Sequence, residues 1–135
     1  MVKNVILYVR ESRNEKIESN DSNASQIEKL IDFCDIRGWN VLDTFEDDYP
    51  HSKGFDRPGY NKLKKYIREN KDKVDYLLFV QWSKFSRNLR ESLSEIETLK
   101  KSGIEPNAIE QWVDMSVPAV RKIEVMQEAE SEFVW

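Results

Sequence analysis

The sequence predicts an α/β domain with a mostly parallel central sheet of about four to five strands and helices on both faces. Three observations carry this expectation. Two short apolar runs, Val5 to Val9 and Tyr76 to Val80, are continuous and built of branched and aromatic side chains, as strands buried on both faces are. The segments between and after them have helical period and carry helix start and stop signals. Strands alternating with helices of roughly 10–15 residues imply a parallel sheet covered on both sides.

The first strand is Asn4 to Val9, and the polar, aperiodic stretch from Arg13 to Asn23 reads as a surface loop. Ser25-Gln26-Ile27-Glu28 has capping-box spacing, and Ile27, Leu30, Ile31 and Cys34 recur on one helical face. Gly38 closes that helix. Trp39 to Phe45 alternates as a second strand, and Glu46 to Arg57 is an acidic, then turn-rich loop. Pro58 suits the first position of the next helix, with Tyr60, Leu63 and Ile67 inward and Lys62, Lys64, Lys65 and Arg68 outward. After the third strand, Leu89, Leu93, Ile96 and Leu99 mark a helix ending at Gly103. A fourth strand is expected within Ile104 to Gln111, interrupted by Pro106, and a last helix opens at Pro118 with Val120, Ile123 and Met126 on one side.

A chain of 135 residues is one domain of this kind. No apolar run is long enough to span a bilayer, and no signal-peptide pattern is present, so a cytoplasmic protein without membrane contact is expected. The single cysteine, Cys34, reads as a core residue. The net charge of -4 is unevenly spread. Tyr60 to Lys101 holds eleven Lys/Arg against six Asp/Glu, and Glu105 to Trp135 two against seven. A phosphate-binding face would sit in the basic part, although solvated helix faces explain the same lysines. Charge does not decide the function.

In open parallel sheets the functional site lies beyond the carboxyl ends of the strands. The loop after the first strand is Arg10-Glu11-Ser12-Arg13, a hydroxyl flanked by guanidinium groups. That is a plausible nucleophile for a phosphodiester, because arginine supplies permanently charged donors for the oxygens of the transition state. The loop after the third strand runs from Gln81 to Arg90. Lys84 and Arg87 lie three apart there, which would put both on one side of a helix start as an anion site. Trp82 and Phe85 are read as packing residues. The third loop, Asp47 to Pro58, delivers Arg57 to a helix and contains a lone His51, read as solvent-facing rather than as a general base. Metal-ligand spacing, a P-loop and a dinucleotide fingerprint are all missing from the sequence.

Together these blocks resemble the catalytic domain of serine site-specific recombinases of the resolvase/invertase family. The family's Tyr-x-Arg-x-Ser strand end corresponds to Tyr8-Val9-Arg10-Glu11-Ser12. Its Ser-rich entry to a helix-borne Gln corresponds to Ser22-Asn23-Ala24-Ser25-Gln26. An acidic strand end, a Ser-containing loop and Asp-Arg-Pro-Gly are matched by Asp47-Asp48, Ser52 and Asp56-Arg57-Pro58-Gly59. The block Asp-Arg-x-x-Arg-Asn is represented by Ser83-Lys84-Phe85-Ser86-Arg87-Asn88. The resemblance covers residues 2 to 116.

The resemblance implies that Ser12 attacks DNA to give a 5′-phosphoserine link, that Arg10, Arg57, Lys84 and Arg87 form the catalytic charge cluster, and that Gln26 and Ser52 contact DNA phosphate. It implies no metal and no cofactor. It further implies duplex recombination sites as substrate, and a homodimer that assembles into a synaptic homotetramer when full length. Residues 1–116 would form the catalytic domain and 117–135 the start of a truncated dimerisation helix, with no DNA-binding domain in the chain. Two departures qualify the expectation. Ser83-Lys84 replaces Asp-Arg, keeping one charge but losing a carboxylate and the two-pronged geometry of arginine, and the chain stops at Trp135. The competing reading is a weakened or inactive domain acting in dimerisation or regulation. A doubly wound nucleotide-binding domain explains the elements but not the motif blocks.

Overall fold

The structure, a computed structural model, describes residues 2–11, 22–48 and 54–116. Four strands and four helices follow in the order β1 (Asn4–Arg10), α1 (Asn23–Arg37), β2 (Asn40–Asp47), α2 (Pro58–Glu69), β3 (Tyr76–Phe79), α3 (Trp82–Phe85), α4 (Leu89–Lys101) and β4 (Glu105–Ala108). All strand pairs are parallel and the spatial order is β2-β1-β3-β4. The chain moves outward from β1 to β2, then crosses back to β3. The carboxyl ends of β1 and β3 therefore flank the switch point where such sheets place their sites.

Strand alternation divides the core into two layers. Ile6 and Tyr8 of β1, with Leu77 and Phe79 of β3, pack under α2 and α4 against Tyr60, Leu63, Ile67, Ile96 and Leu99. Val5, Leu7 and Val9, with Leu78 and Val80, pack against Leu30 and Cys34 of α1 on the other face. Cys34 is buried there, and burial pushes its thiol up to about 11. Helices on both faces of a parallel sheet are what the apolar runs predict.

Several boundaries differ from the sequence expectation, each for a local reason. Helix α1 begins three residues before the expected capping box, with Ser22 as its N-cap; the Ser22 hydroxyl accepts from the Ser25 amide at 3.1 Å. Its inward stripe is Asn23, Gln26, Leu30 and Cys34, while Ile31 is 39% exposed. Two polar residues occupy the inner face because they bond to the sheet edge, a role that apolar periodicity cannot register. Strand β2 runs on to Asp47, in register with Arg10 of β1.

In α4 the buried positions are Ser92, Ile96 and Leu99, with Leu93 only half-buried. Gly103 follows in the left-handed conformation, φ 78°, where its amide donates to Lys100. Pro106 does not interrupt β4 but pairs in register with Leu77, which an edge strand tolerates. The expected start of α2 at Pro58 is observed, and Tyr60, Leu63 and Ile67 are buried in it together with Gly59. Among the described residues no helix is long and apolar enough to cross a membrane. The expected loop from Arg13, His51 with its neighbours, and the helix expected from Pro118 lie outside the described residues.

Candidate active site

Arg10 ends β1 on the same strand face as Ile6 and Tyr8, which aims its side chain toward α3. It is 6% exposed. Its Nη2 donates to the Ser83 carbonyl at 2.6 Å and its Nε to the Lys84 carbonyl at 3.2 Å. Arg57, at the N-cap position of α2, is equally buried. Its Nε donates to the Gly54 carbonyl at 2.9 Å, and its Nη1 to the Phe85 carbonyl at 2.7 Å and the Tyr8 hydroxyl at 3.3 Å. The guanidinium carbon lies 4.8 Å from the centre of the Phe55 ring.

Helix α3 is a single turn whose carbonyls would be orphans without partners. The Trp82 carbonyl accepts from the Ser86 amide at 2.9 Å. The other three accept from the two arginines. Both guanidinium groups are thereby held at the negative end of this turn.

The carboxylate of Asp47 organises the other side. Its Oδ1 accepts from the Gly59 amide at 2.7 Å, and its Oδ2 from the Tyr60 amide at 3.0 Å and the Tyr8 hydroxyl at 2.7 Å. An acid thus accepts the free amides at the N-terminus of α2. The turn sits so close to β2 that a Cβ on Gly59 would come within 2.1 Å of the Glu46 carbonyl oxygen. Tyr8 donates to Asp47 and accepts from Arg57, linking the two charges through one hydroxyl. Burial, and to a lesser degree Asp47, drive the Tyr8 phenol well above its ordinary range against the pull of Arg57.

Gln26 binds both main-chain groups of Arg10. Its Nε2 donates to the Arg10 carbonyl at 3.0 Å, and its Oε1 accepts from the Arg10 amide at 3.4 Å. Asn23 donates through Nδ2 to the Asp47 carbonyl at 3.1 Å, while its own amide donates to Glu11 at 3.0 Å. The first helix thus braces the ends of β1 and β2 together.

Arg10 is held down to about 10, first by burial, then by the positive charge of Arg57, with Arg87 adding to it; Tyr8 and Asp47 act in the opposite direction. The group remains a cation at neutral pH, but its surroundings disfavour the charge. An anion arriving beside Arg10, Arg57 and Arg87 relieves that repulsion.

Of the residues singled out in the sequence, the structure brings Arg10, Arg57, Lys84 and Gln26 together at the carboxyl ends of β1 and β3. Lys84 is buried, 3% exposed, in α3. Arg87 is exposed but near enough to influence Arg10. The expectation that Lys84 and Arg87 share one helical side is corrected. Helix α3 ends at Phe85, and Ser86 is extended at φ -162°, ψ 147°, so the two cations stand on opposite sides of a break. Trp82 and Phe85 are fully buried packing residues, as read. Ser12 and Ser52 lie outside the described residues; Ser12 follows Arg10 by two positions. Two clefts of about 320 and 530 Å³ open around Gly103 and Ile104, at the opposite edge of the sheet, and take no part in this cluster.

Sequence reasoning gave Tyr8, Asn23 and Asp47 no role in the site. Tyr8 and Asn23 lie inside the motif blocks quoted above, but within an apolar run and a polar loop that carry no sign of what their side chains bond. Asp47 left a usable signal, an acid at the carboxyl end of a strand next to a Pro-Gly helix start.

The family profile for "Resolvase, N terminal domain" matches residues 5–134. Similar solved structures include the N-terminal catalytic domain of TP901-1 integrase, at 24% identity and TM-score 0.76, covering 98% of this chain and 100% of that one. A resolvase family site-specific recombinase from Streptococcus pneumoniae matches at 24% identity and TM-score 0.73, over 98% and 90%. The C-terminal catalytic domain of ISC1926 TnpA, an IS607-like serine recombinase, matches at 21% identity and TM-score 0.64, over 78% and 68%. At these identities the structural likeness speaks for the fold. No curated protein sequence matches the chain. The profile spans nearly all of the sequence and includes the strand, loop and helix blocks described above, and by that match the chain belongs to the resolvase family through its N-terminal domain.

Proposed function

We propose that this chain cuts and rejoins DNA at specific sites through a covalent 5′-phosphoserine intermediate, with Ser12 as nucleophile. Membership in the resolvase family makes site-specific recombination the class of its activity. The observation that carries the finer reading is the buried Arg10, crowded by Arg57 and Arg87, at the strand end two residues before Ser12.

In the proposed step, the Ser12 oxygen attacks phosphorus and the bond to the 3′ oxygen breaks. The proton given up by serine is balanced by the one taken up by the departing 3′ hydroxyl. In the reverse step a 3′ hydroxyl attacks the phosphoserine and restores Ser12. One phosphoester bond forms for each one broken, so no external energy source is required. Charge builds on the phosphoryl oxygens during each displacement, and preorganised cations stabilise it. Arg10, Arg57, Lys84 and Arg87 take that role without a metal or cofactor. Among the described residues Arg10 commits two guanidinium N–H groups and Arg57 three, out of five on each arginine. The remaining donors are the ones proposed to meet phosphate.

Gln26 fixes the peptide from which Ser12 follows, and with Ser52 completes the proposed phosphate contacts. The substrate is duplex DNA, bound by a homodimer that pairs into a synaptic tetramer. Residues 1–116 act as the catalytic domain, and 117–135 as the start of the dimerisation helix. Ser83-Lys84 favours a second reading, a catalytically weakened domain that regulates or dimerises, because lysine lacks the planar fork of arginine.

A nicked suicide substrate, offered under conditions that permit synapsis, separates the two readings. The first predicts a covalent protein–DNA adduct that disappears with Ser12→Ala. No adduct from the unmutated protein favours the second.

A further inference from the structure

We infer that Gln111 is a positioning residue for Arg10, acting through α3; the inference deepens the proposed function and rests on it. A single helical turn is not stable alone, because nucleation costs more than one hydrogen bond returns. Helix α3 must be held at both ends. Its C-terminal carbonyls are held by Arg10 and Arg57. At its N-terminus, Gln81 provides no side-chain cap. The Oε1 of Gln111, 29 positions along the chain, accepts from the Trp82 amide at 2.9 Å instead. The Gln111 carbonyl also accepts from the Trp82 indole at 3.0 Å.

Gln111 is itself held in place. Asn107, fully buried at the end of β4, accepts through Oδ1 from the amides of Ala108 and Val113 and donates to the Val113 carbonyl at 2.7 Å. That staple closes the loop carrying Gln111, whose amide donates to the Ala108 carbonyl at 3.3 Å. A displacement at Trp82 passes over one or two residues to the Ser83 and Lys84 carbonyls that orient Arg10. Arg57 is less exposed to it. Its Nε is anchored on Gly54, outside α3, and its Nη1 also reaches Tyr8. The structure thus predicts an unequal response of the two arginines.

Nitrogen-resolved NMR exchange of the arginine Nε–H groups in the full chain tests this. In Gln111→Ala, the Arg10 Nε–H should exchange about fivefold faster, the scale of one lost hydrogen bond. Arg57 Nε–H and the β1 amides should stay near their original rates. Gln111→Glu, which keeps an acceptor oxygen, should restore Arg10. Glu110→Ala, which removes the neighbouring exposed contacts with Gln81 and Lys29, should leave both arginines unchanged. The cleavage rate at saturating DNA should fall about tenfold or more in Gln111→Ala, with DNA affinity unchanged and Gln111→Glu restoring the rate. Unchanged Arg10 exchange, or equal loosening of Arg10, Arg57 and β1, overturns the inference. If the unmutated protein forms no adduct, the proposed function fails while the exchange measurement still decides the role of Gln111.

Discussion

Arg10 carries a charge that burial and two neighbouring arginines disfavour, and it keeps that charge because α3 and Asp47 surround it with acceptors and negative potential. Tyr8 is the joint of this arrangement, since one hydroxyl serves both Asp47 and Arg57. Tyr8 and Tyr60 both have phenols raised above their ordinary value of 10.0, chiefly by burial. For such groups the stabilising contribution is fully present below pH 10.0 and is lost as pH climbs toward the folded-state value. Arg10 works the other way, because its folded value of about 10 lies below the ordinary 12.5, and the deficit it causes closes across that window. Unfolding should therefore set in above about pH 10, with the Tyr8 and Tyr60 phenolates appearing only as the domain opens. Tyr8→Phe should lower neutral-pH stability by about 1–2 kcal/mol and flatten the alkaline limb. Phenolate absorbance and circular dichroism followed together through the alkaline transition check this. Phenolate signal from all tyrosines before any loss of structure would contradict the account.

At the scale of elements, the site is built from one short turn and one helix start. Gly59 begins α2 against β2 with no room for a side chain, so Gly59→Ala should cost about 3 kcal/mol. It should also loosen Arg57, its near neighbour. A urea midpoint unchanged by this substitution would show that the close approach is not required. Lys84 is the one charged side chain of α3. Lys84→Met keeps most of its volume and removes the charge, so the proposed catalysis should slow about 10²-fold while the urea midpoint moves little. Equal losses of rate and stability would make Lys84 a structural residue. These elements also mark where the sequence was hardest to read. A four-residue helix has no periodicity, so α3 merged with α4 and placed Lys84 and Arg87 on one side. The inner face of α1 was misjudged because Asn23 and Gln26 occupy it, and their partners are backbone atoms of β1 and β2. Polar residues turned inward to serve a site look, in sequence, like residues turned outward to water.

The whole molecule was more legible. Val5 to Val9 and Tyr76 to Val80 have the uninterrupted apolar character that only a sheet covered on both faces requires, and both proved to be central strands. Their carboxyl ends had to be the functional edge once the sheet was parallel, and Arg10 lies there. What could not be read was how the edge is held. Tyr8 meets Asp47 across 39 positions and Gln111 meets Trp82 across 29, and no local pattern reports such pairs. The uneven charge was no guide either, because the arginines that gather at the edge come from three separate segments, two of them outside the basic stretch from Tyr60 to Lys101.

The central claim is that this edge serves one nucleophile. Its most direct measurement is mass spectrometry of the peptide covalently joined to DNA after trapping on a suicide substrate. The account predicts a single linkage, a 5′ phosphate esterified to Ser12. A linkage to any other residue, or trapping that persists in Ser12→Ala, would contradict it.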